Sequence, residues 1–390
     1  MRDKTARDYL WLVFFLIVFI NGFEAGGYQA SLLNIGRTYE LSSTSKGFFA
    51  SVELFATMLA PLILGAWADR SNKLKCLKIL LSIQFIAALI IIVLKSKILF
   101  LGGIFFLGLT TSALQFISIA ALSDYFPVSS KKKIGYLTSM YALGAFVAPL
   151  AVSAYLRLGY NWRTLFVFVL ISTLAAVIGI TVSKDEVREA VIDSIGEEKN
   201  TGSFYLTAII LLCLILAIYV GYENGFAFFV DTLFAEEFHS AIGKYALSVF
   251  WIIMIPSRVL AGHKAHHSYR ILVSSIIAIP LITGLITLVS DDVMVLILCI
   301  PLGFFCGMIY PCVLNLAIPM SGNHKATATG MLTTATGIGG VVFTAITGYL
   351  GDLWNLRVAV MALSSFFIIS LISVVLFLGQ QKKYNSFIRK

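Results

Sequence analysis

Two acids stand deep inside apolar stretches. Glu24 lies about 15 residues into one, in Asn21-Gly22-Phe23-Glu24-Ala25-Gly26, and Glu223 lies in another, in Gly221-Tyr222-Glu223-Asn224-Gly225. An ionised carboxylate at the centre of a bilayer costs at least ~2.5–3.5 kcal/mol on insertion scales, so an acid there faces a cavity or marks a solute or proton path. Both acids are candidates to load and release a proton, the chemistry of an ion-coupled carrier. The bland alternatives are a hydrogen-bonded structural Glu at 24 and a polar cap at 223. Gly221 and Gly225 give the second site backbone freedom, where a helix can break or a ligand approach closely. Glu53 reads equally as a helix-interface hydrogen bond or a functional acid. Arg258 is costly in a span unless paired; it could be a counter-charge, bind an anionic substrate, or snorkel to the membrane face.

Amides and aromatics accompany these charges. Asn21, Tyr28, Gln29, Gln115, Tyr141, Tyr222, Asn224, Tyr310 and Asn315 occupy cavity-prone positions. Amides hydrogen-bond hydroxyls and ring faces cover C–H surfaces, so the set suits a hydroxyl-rich solute. Taken singly, each is as well explained by helix packing.

Other chemistries find little support. The five cysteines have no ligand spacing, so neither a disulfide framework nor a metal site is expected. The cluster His263, His266 and His267 has no carboxylate or Cys nearby. There is no phosphate-cradling loop after a strand and no nucleophile–base constellation, so neither ATP-driven transport, nor an enzyme, nor a cofactor is expected.

The elements that position these residues follow from composition. Of 390 residues, 59% are hydrophobic and 13% charged, against about 25% charged in a soluble domain. The missing solvent is lipid. Apolar runs such as Leu80–Leu94 are too long and too uniform for the alternating strands of a membrane barrel. They give twelve spans, near 9–34, 46–68, 76–94, 98–122, 134–156, 164–183, 204–230, 244–262, 271–289, 293–319, 327–350 and 357–379. The first run has no cleavage site at its end and reads as a span, not a signal peptide. The polar stretch 184–203 reads as a linker between an N-terminal bundle, 1–183, and a C-terminal bundle, 204–390.

Lys and Arg set the orientation. With the N-terminus inside, the inner segments hold 20 of them and the outer segments 8. Both termini are therefore expected in the cytoplasm of a multi-pass protein of the cell membrane. The net charge of +9 is a topology signal and needs no nucleic-acid partner.

Shifting the chain by about 195–199 residues aligns its halves. Gly22, Glu24 and Gly26 fall on Gly221, Glu223 and Gly225; Ser51-Val52 on Ser248-Val249; Gly65 on Gly262; Gly108 on Gly303; Gly135 and Gly144 on Gly330 and Gly339. Six spans separate the partners, so the halves share topology. The expected fold is an all-α membrane protein of two pseudo-symmetric six-helix bundles, with a midplane site between them reached by alternating access.

The loop Gly65-Ala66-Trp67-Ala68-Asp69-Arg70-Ser71-Asn72-Lys73 resembles the G-x-x-x-D-R-x-x-[KR] signature of the major facilitator superfamily. Gly144 to Pro149, with Ala148 in place of a Gly, is similar to the family's fifth-helix pattern, and Asn161-Trp162-Arg163 is typical of its sixth-span entry. By resemblance, Asp69 and Arg70 form a charge relay that holds the outward-open state; a solvated loop pair is the bland alternative. Arg258, from its place in span eight, is a further gating candidate. Tyr219 to Glu223, Tyr310-Pro311 with Asn315, and Ala328-Thr329-Gly330 resemble the fucose–galactose–glucose:proton symporter group. That group's proton-coupling acid in span four has no match here: Asp124 lies at the cytoplasmic end, and the mid-span position is near Gln115. The resemblance implies a monomeric, proton-coupled symporter of a small polar solute, a sugar. A proton-driven exporter of drugs or amphipathic compounds is the alternative. A receptor or lipid-handling protein on this fold is a third reading, and a receptor should carry an added soluble domain or long tail.

Overall fold

The computed structural model describes residues 2–126, 130–182, 204–322 and 325–388; the expected linker 184–203 lies outside the described residues. The described chain is helical: α1 (Arg2–Tyr39), α2 (Ser43–Arg70), α3 (Lys73–Val93), α4 (Lys97–Tyr125), α5 (Ser130–Arg157), α6 (Thr164–Val182), α7 (Leu206–Glu237), α8 (Gly243–His263), α9 (Ser268–Leu288), α10 (Asp292–Met320), α11 (Lys325–Leu353), α12 (Leu356–Ser365) and α13 (Phe367–Ile388). Among the described residues twelve spans are long and apolar enough to cross a membrane, α12 and α13 together forming the last. Exposed Leu62, Ile98, Leu281, Leu288 and Ile368 belong to the apolar surface that lipid covers.

Two compact units emerge. One comprises Met1–Tyr39 and Val52–Ile195, the other Glu40–Ser51 and Gly196–Lys390, so α2 is divided between them. In the first, α1 lies against α5 with no room for a side chain at the crossing. A Cβ at Gly22 would land on the Tyr141 carbonyl, and one at Gly144 on the Phe19 carbonyl. In the second unit α7 and α11 repeat the arrangement: a Cβ at Gly339 would land on the Ala217 carbonyl, and one at Gly221 on Phe343 and the Gly339 carbonyl. Four of the matched glycine pairs, 22/221, 26/225, 108/303 and 144/339, are thus helix–helix contacts, whereas a Cβ at Gly65, Gly262 or Gly330 would meet no neighbour within 4 Å. The helix break allowed for at Gly221 and Gly225 does not form, because α7 runs unbroken through both.

Several helices outrun the spans read from hydropathy. α1 continues to Tyr39, α7 to Glu237 and α13 to Ile388. Asp231 looks like a span boundary in the sequence, yet it is buried and ion-paired with the equally buried Lys244 of α8. Pairing lets the charge stay inside the helix.

The ends of both units use parallel devices. Arg163 donates from Nε to the Ile91 carbonyl at 3.2 Å and stacks 4.3 Å from the Trp162 ring centroid. Arg357 donates to the Thr287 and Val289 carbonyls at 3.4 and 3.1 Å and stacks 4.2 Å from Phe238. Each guanidinium satisfies carbonyls at the C-terminal end of a helix, α3 or α9. In the second unit Asp352 accepts from the Ser43 and Thr44 amides at 2.6 and 2.7 Å, capping α2, and Lys46 pairs with Glu236 at 3.1 Å.

Candidate functional site

Glu24 is fully buried on α1. One turn of α4 organises its surroundings. Thr111 donates from Oγ1 to Glu24 Oε2 at 3.4 Å, and its carbonyl accepts from Asn21 Nδ2 at 2.9 Å. Three residues earlier Gly108 lets α2 come close: a Cβ there would meet the Glu53 carbonyl at 2.5 Å and Glu53 Cγ at 3.1 Å. Thr57 fixes the approach by donating to the Gly108 carbonyl at 3.2 Å. Glu53, 4% exposed, therefore converges on the same turn of α4 as Glu24. The two carboxyls lie within electrostatic range of each other, and Tyr28 of α1 is within range of both. Glu24 Oε1, Glu53 Oε2 and Asn21 Oδ1 are buried with no hydrogen-bond partner among the described residues. No Lys, Arg or His among the described residues forms an ion pair with either acid.

The second unit repeats the plan with different chemistry. Glu223, 7% exposed on α7, faces Tyr219 one turn earlier, Arg258 of α8 and Cys306 of α10. Tyr310, one turn beyond Cys306, also lies within range of Arg258. The offsets that align the glycines put Cys306 opposite Thr111, Tyr310 opposite Gln115, Phe250 opposite Glu53 and Arg258 opposite Pro61. The glycine contact is repeated too, since a Cβ at Gly303 would meet the Phe250 carbonyl at 2.5 Å. One half has two acids and no cation at these positions. The other has one acid and one cation.

The sequence matches the Major Facilitator Superfamily over residues 14–323. The chain belongs to the Major Facilitator Superfamily. Among curated proteins no sequence match is found. Among solved structures the fold is similar to a bacterial homolog of the human lysosomal transporter Spinster in an inward-facing, occupied conformation, with a TM-score of 0.81, 15% identity, and coverage of 95% of this chain and 96% of that one. It is also similar to the nucleoside transporter NupG, with a TM-score of 0.70, 15% identity and coverage of 94% and 99%. The human organic anion transporter MFSD10 (TETRAN) matches with a TM-score of 0.67, 12% identity and coverage of 94% and 99%.

The superfamily's signature loop closes α2. Arg70 is exposed there, and the Asp69 side chain lies outside the described residues. His263, His266 and His267 form an exposed turn between α8 and α9, and no metal-binding group of His, Cys, Asp and Glu occurs among the described residues.

The polar residues expected to contact solute fall in several settings. Asn21, Tyr28 and Gln29 are buried on α1. Tyr222 is fully buried, its hydroxyl 2.5 Å from Thr283 Oγ1 and its ring against Phe226 and Phe367. Asn224 donates back to its own helix at the Val220 carbonyl, 2.9 Å, and Asn315 to Ser268 Oγ at 3.2 Å. Gln115, Tyr141 and Tyr310 are half-buried. The structure thus brings Asn21 and Glu24 together around Thr111, and Glu223, Arg258 and Tyr310 together around Cys306. Sequence reading left Glu53 open; the Gly108–Gly303 match was the signal that α2 meets α4 beside it.

Proposed function

We propose that this superfamily member is a secondary active transporter of the cell membrane that moves a small polar solute by alternating access, driven by protons bound at Glu24. The observation that carries the reading is Glu24 itself: fully buried, held by one long hydrogen bond from Thr111, one oxygen without a partner, and no cation paired with it among the described residues. A buried charge without a counter-ion is expensive, whereas a group that gains and loses a proton has a use for that position. Differential proton affinity between the inward- and outward-facing states then biases their equilibrium.

Half-buried Gln115, Tyr141 and Tyr310 supply the amide and ring faces that a hydroxyl-rich solute needs, which favours a sugar. The resemblance to the fucose–galactose–glucose:proton symporter group points the same way. Glu223 is the second candidate for proton coupling, and its proximity to Arg258 makes it the lesser one. Asp69 and Arg70 act as the cytoplasmic relay, the Lys and Arg distribution keeps both termini in the cytoplasm, and one chain suffices for the cycle.

Reconstitution into proteoliposomes tests this. With one proton per solute, a gradient of one pH unit supports about tenfold accumulation. Radiolabelled hexoses and pentoses are expected to accumulate with wild-type protein and to equilibrate without accumulation in Glu24→Gln. Accumulation that ignores the pH gradient and survives Glu24→Gln sinks the proposal. Proton-driven loss of amphipathic dyes from the vesicles, with no sugar uptake, replaces symport by drug export.

A further inference from the structure

We infer that Glu24 does not act alone: Glu24 and Glu53 form a carboxyl pair that holds a single shared proton. The inference rests on the proton-coupled reading above and adds to it the residue that completes the site.

The geometry carries it. Glu24 on α1 and Glu53 on α2 both converge on the Gly108–Thr111 turn of α4, and Gly108 is the residue that lets the α2 backbone reach that turn. Both acids are buried, and each has an oxygen without a partner among the described residues. Asn21 Oδ1, on the same α1 face as Glu24, is a third buried oxygen without one. The unmet need at this turn is for a donor, and the smallest donor is a proton. One proton held by the pair leaves one net charge where there would be two, which relieves the repulsion between neighbouring buried carboxylates.

The groups facing the pair offer no alternative neutraliser. From α1 the titratable neighbour is Tyr28, which faces both acids. α4 presents Thr111 and Gly108, and α2 presents Thr57. α5 meets α1 at Tyr141 and Ala145, against Gly22 and Gly26. α6 contains no titratable residue. The second unit places Phe250 at the position of Glu53 and keeps its acid next to Arg258 instead, so a second acid is not a requirement of the fold.

Infrared titration of the purified protein in liposomes reads the pair without any solute. The protonated-carboxyl band is followed against pH in wild type, Glu24→Gln, Glu53→Gln and Glu53→Asp. Two acids that share a proton titrate as a unit, so replacing either by Gln should move the midpoint of the other by about one pH unit or more. Glu53→Asp should retain a coupled titration, which a merely structural Glu53 would not predict. Midpoints that stay put in both Gln variants, with the protein folded by thermal melting, overturn the pair. So does a midpoint that follows Na+ concentration, which would assign the site to a metal cation. Uptake separates the two levels of the argument. Loss of pH-driven accumulation in Glu24→Gln, with Glu53→Gln like wild type, keeps the transporter and discards the pair. Coupled titration without pH-driven uptake of any hexose or pentose keeps the shared proton and discards the symport reading.

Discussion

The two acid sites are built on one plan and balanced in opposite ways. In the first half Glu24 meets Thr111 and lies near a second acid, Glu53; in the second half Glu223 meets the Cys306 region and lies near a cation, Arg258. The glycine contacts that set the helix spacing are common to both. Duplication therefore preserved the packing and let the charges diverge. Packing is constrained because a Cβ at these crossings overlaps backbone, which cannot yield. The polar side chains in between are free to change as long as each half finds its own neutraliser, which we propose is a proton in one and Arg258 in the other.

The α7–α8 end of the second half sharpens the contrast. Asp231 and Lys244 pair in a buried setting, and the aligned positions in the first half are Leu32 and Gly47. Lys244→Met should remove the counter-charge of a buried carboxylate and cost about 3–5 kcal/mol. Adding Asp231→Leu should return the protein to wild-type stability or above, since apolar replacement of a buried pair is often neutral or favourable. Thermal unfolding in detergent measures both, and a single variant that melts with wild type would refute the claim that the pair compensates burial.

A smaller effect is expected at Arg258, which is only half-buried. Arg258→Met should cost roughly 1–3 kcal/mol by leaving Glu223 without its cation, and Glu223→Gln in the same chain should restore most of it. In the first half no cation pairs with Glu24 among the described residues, and Glu24→Gln should leave the melting temperature near wild type while abolishing coupling. Equal destabilisation by Glu24→Gln and Arg258→Met would erase the difference between the halves.

Much of this was legible in the sequence and some was not, for identifiable reasons. Long charge-poor runs gave twelve spans because nothing else explains apolar stretches of that length. Glu24 was legible because depth alone makes a carboxylate unusual. Glu53 was not, since its importance depends on α2 and α4 meeting at Gly108, a contact between residues far apart in the chain. Lys244 reads as an external loop residue and Asp231 as a span boundary; only their pairing shows that both belong inside. Tyr222 sits beside Glu223 in the sequence, but helical geometry turns its hydroxyl to Thr283 and into an aromatic cluster.

The smallest effect expected concerns a device that only one half has. Asp352, near the end of α11, accepts from the amides of Ser43 and Thr44 and so caps the first turn of α2. A carboxylate suits that position because the first amides of a helix lack intrahelical partners and carry partial positive charge. The aligned residue at the end of α5 is Arg157, a cation that cannot accept such bonds. Asp352→Ala should therefore cost about 1 kcal/mol, the usual worth of an N-cap. Asp352→Asn should lose less, because an amide oxygen still accepts. Hydrogen exchange at Ser43 and Thr44 reads the local effect directly: faster exchange is expected in Asp352→Ala and an intermediate rate in Asp352→Asn. Unchanged protection in Asp352→Ala would mean that the packing of Gly47 against α11, not the cap, holds the first turn of α2.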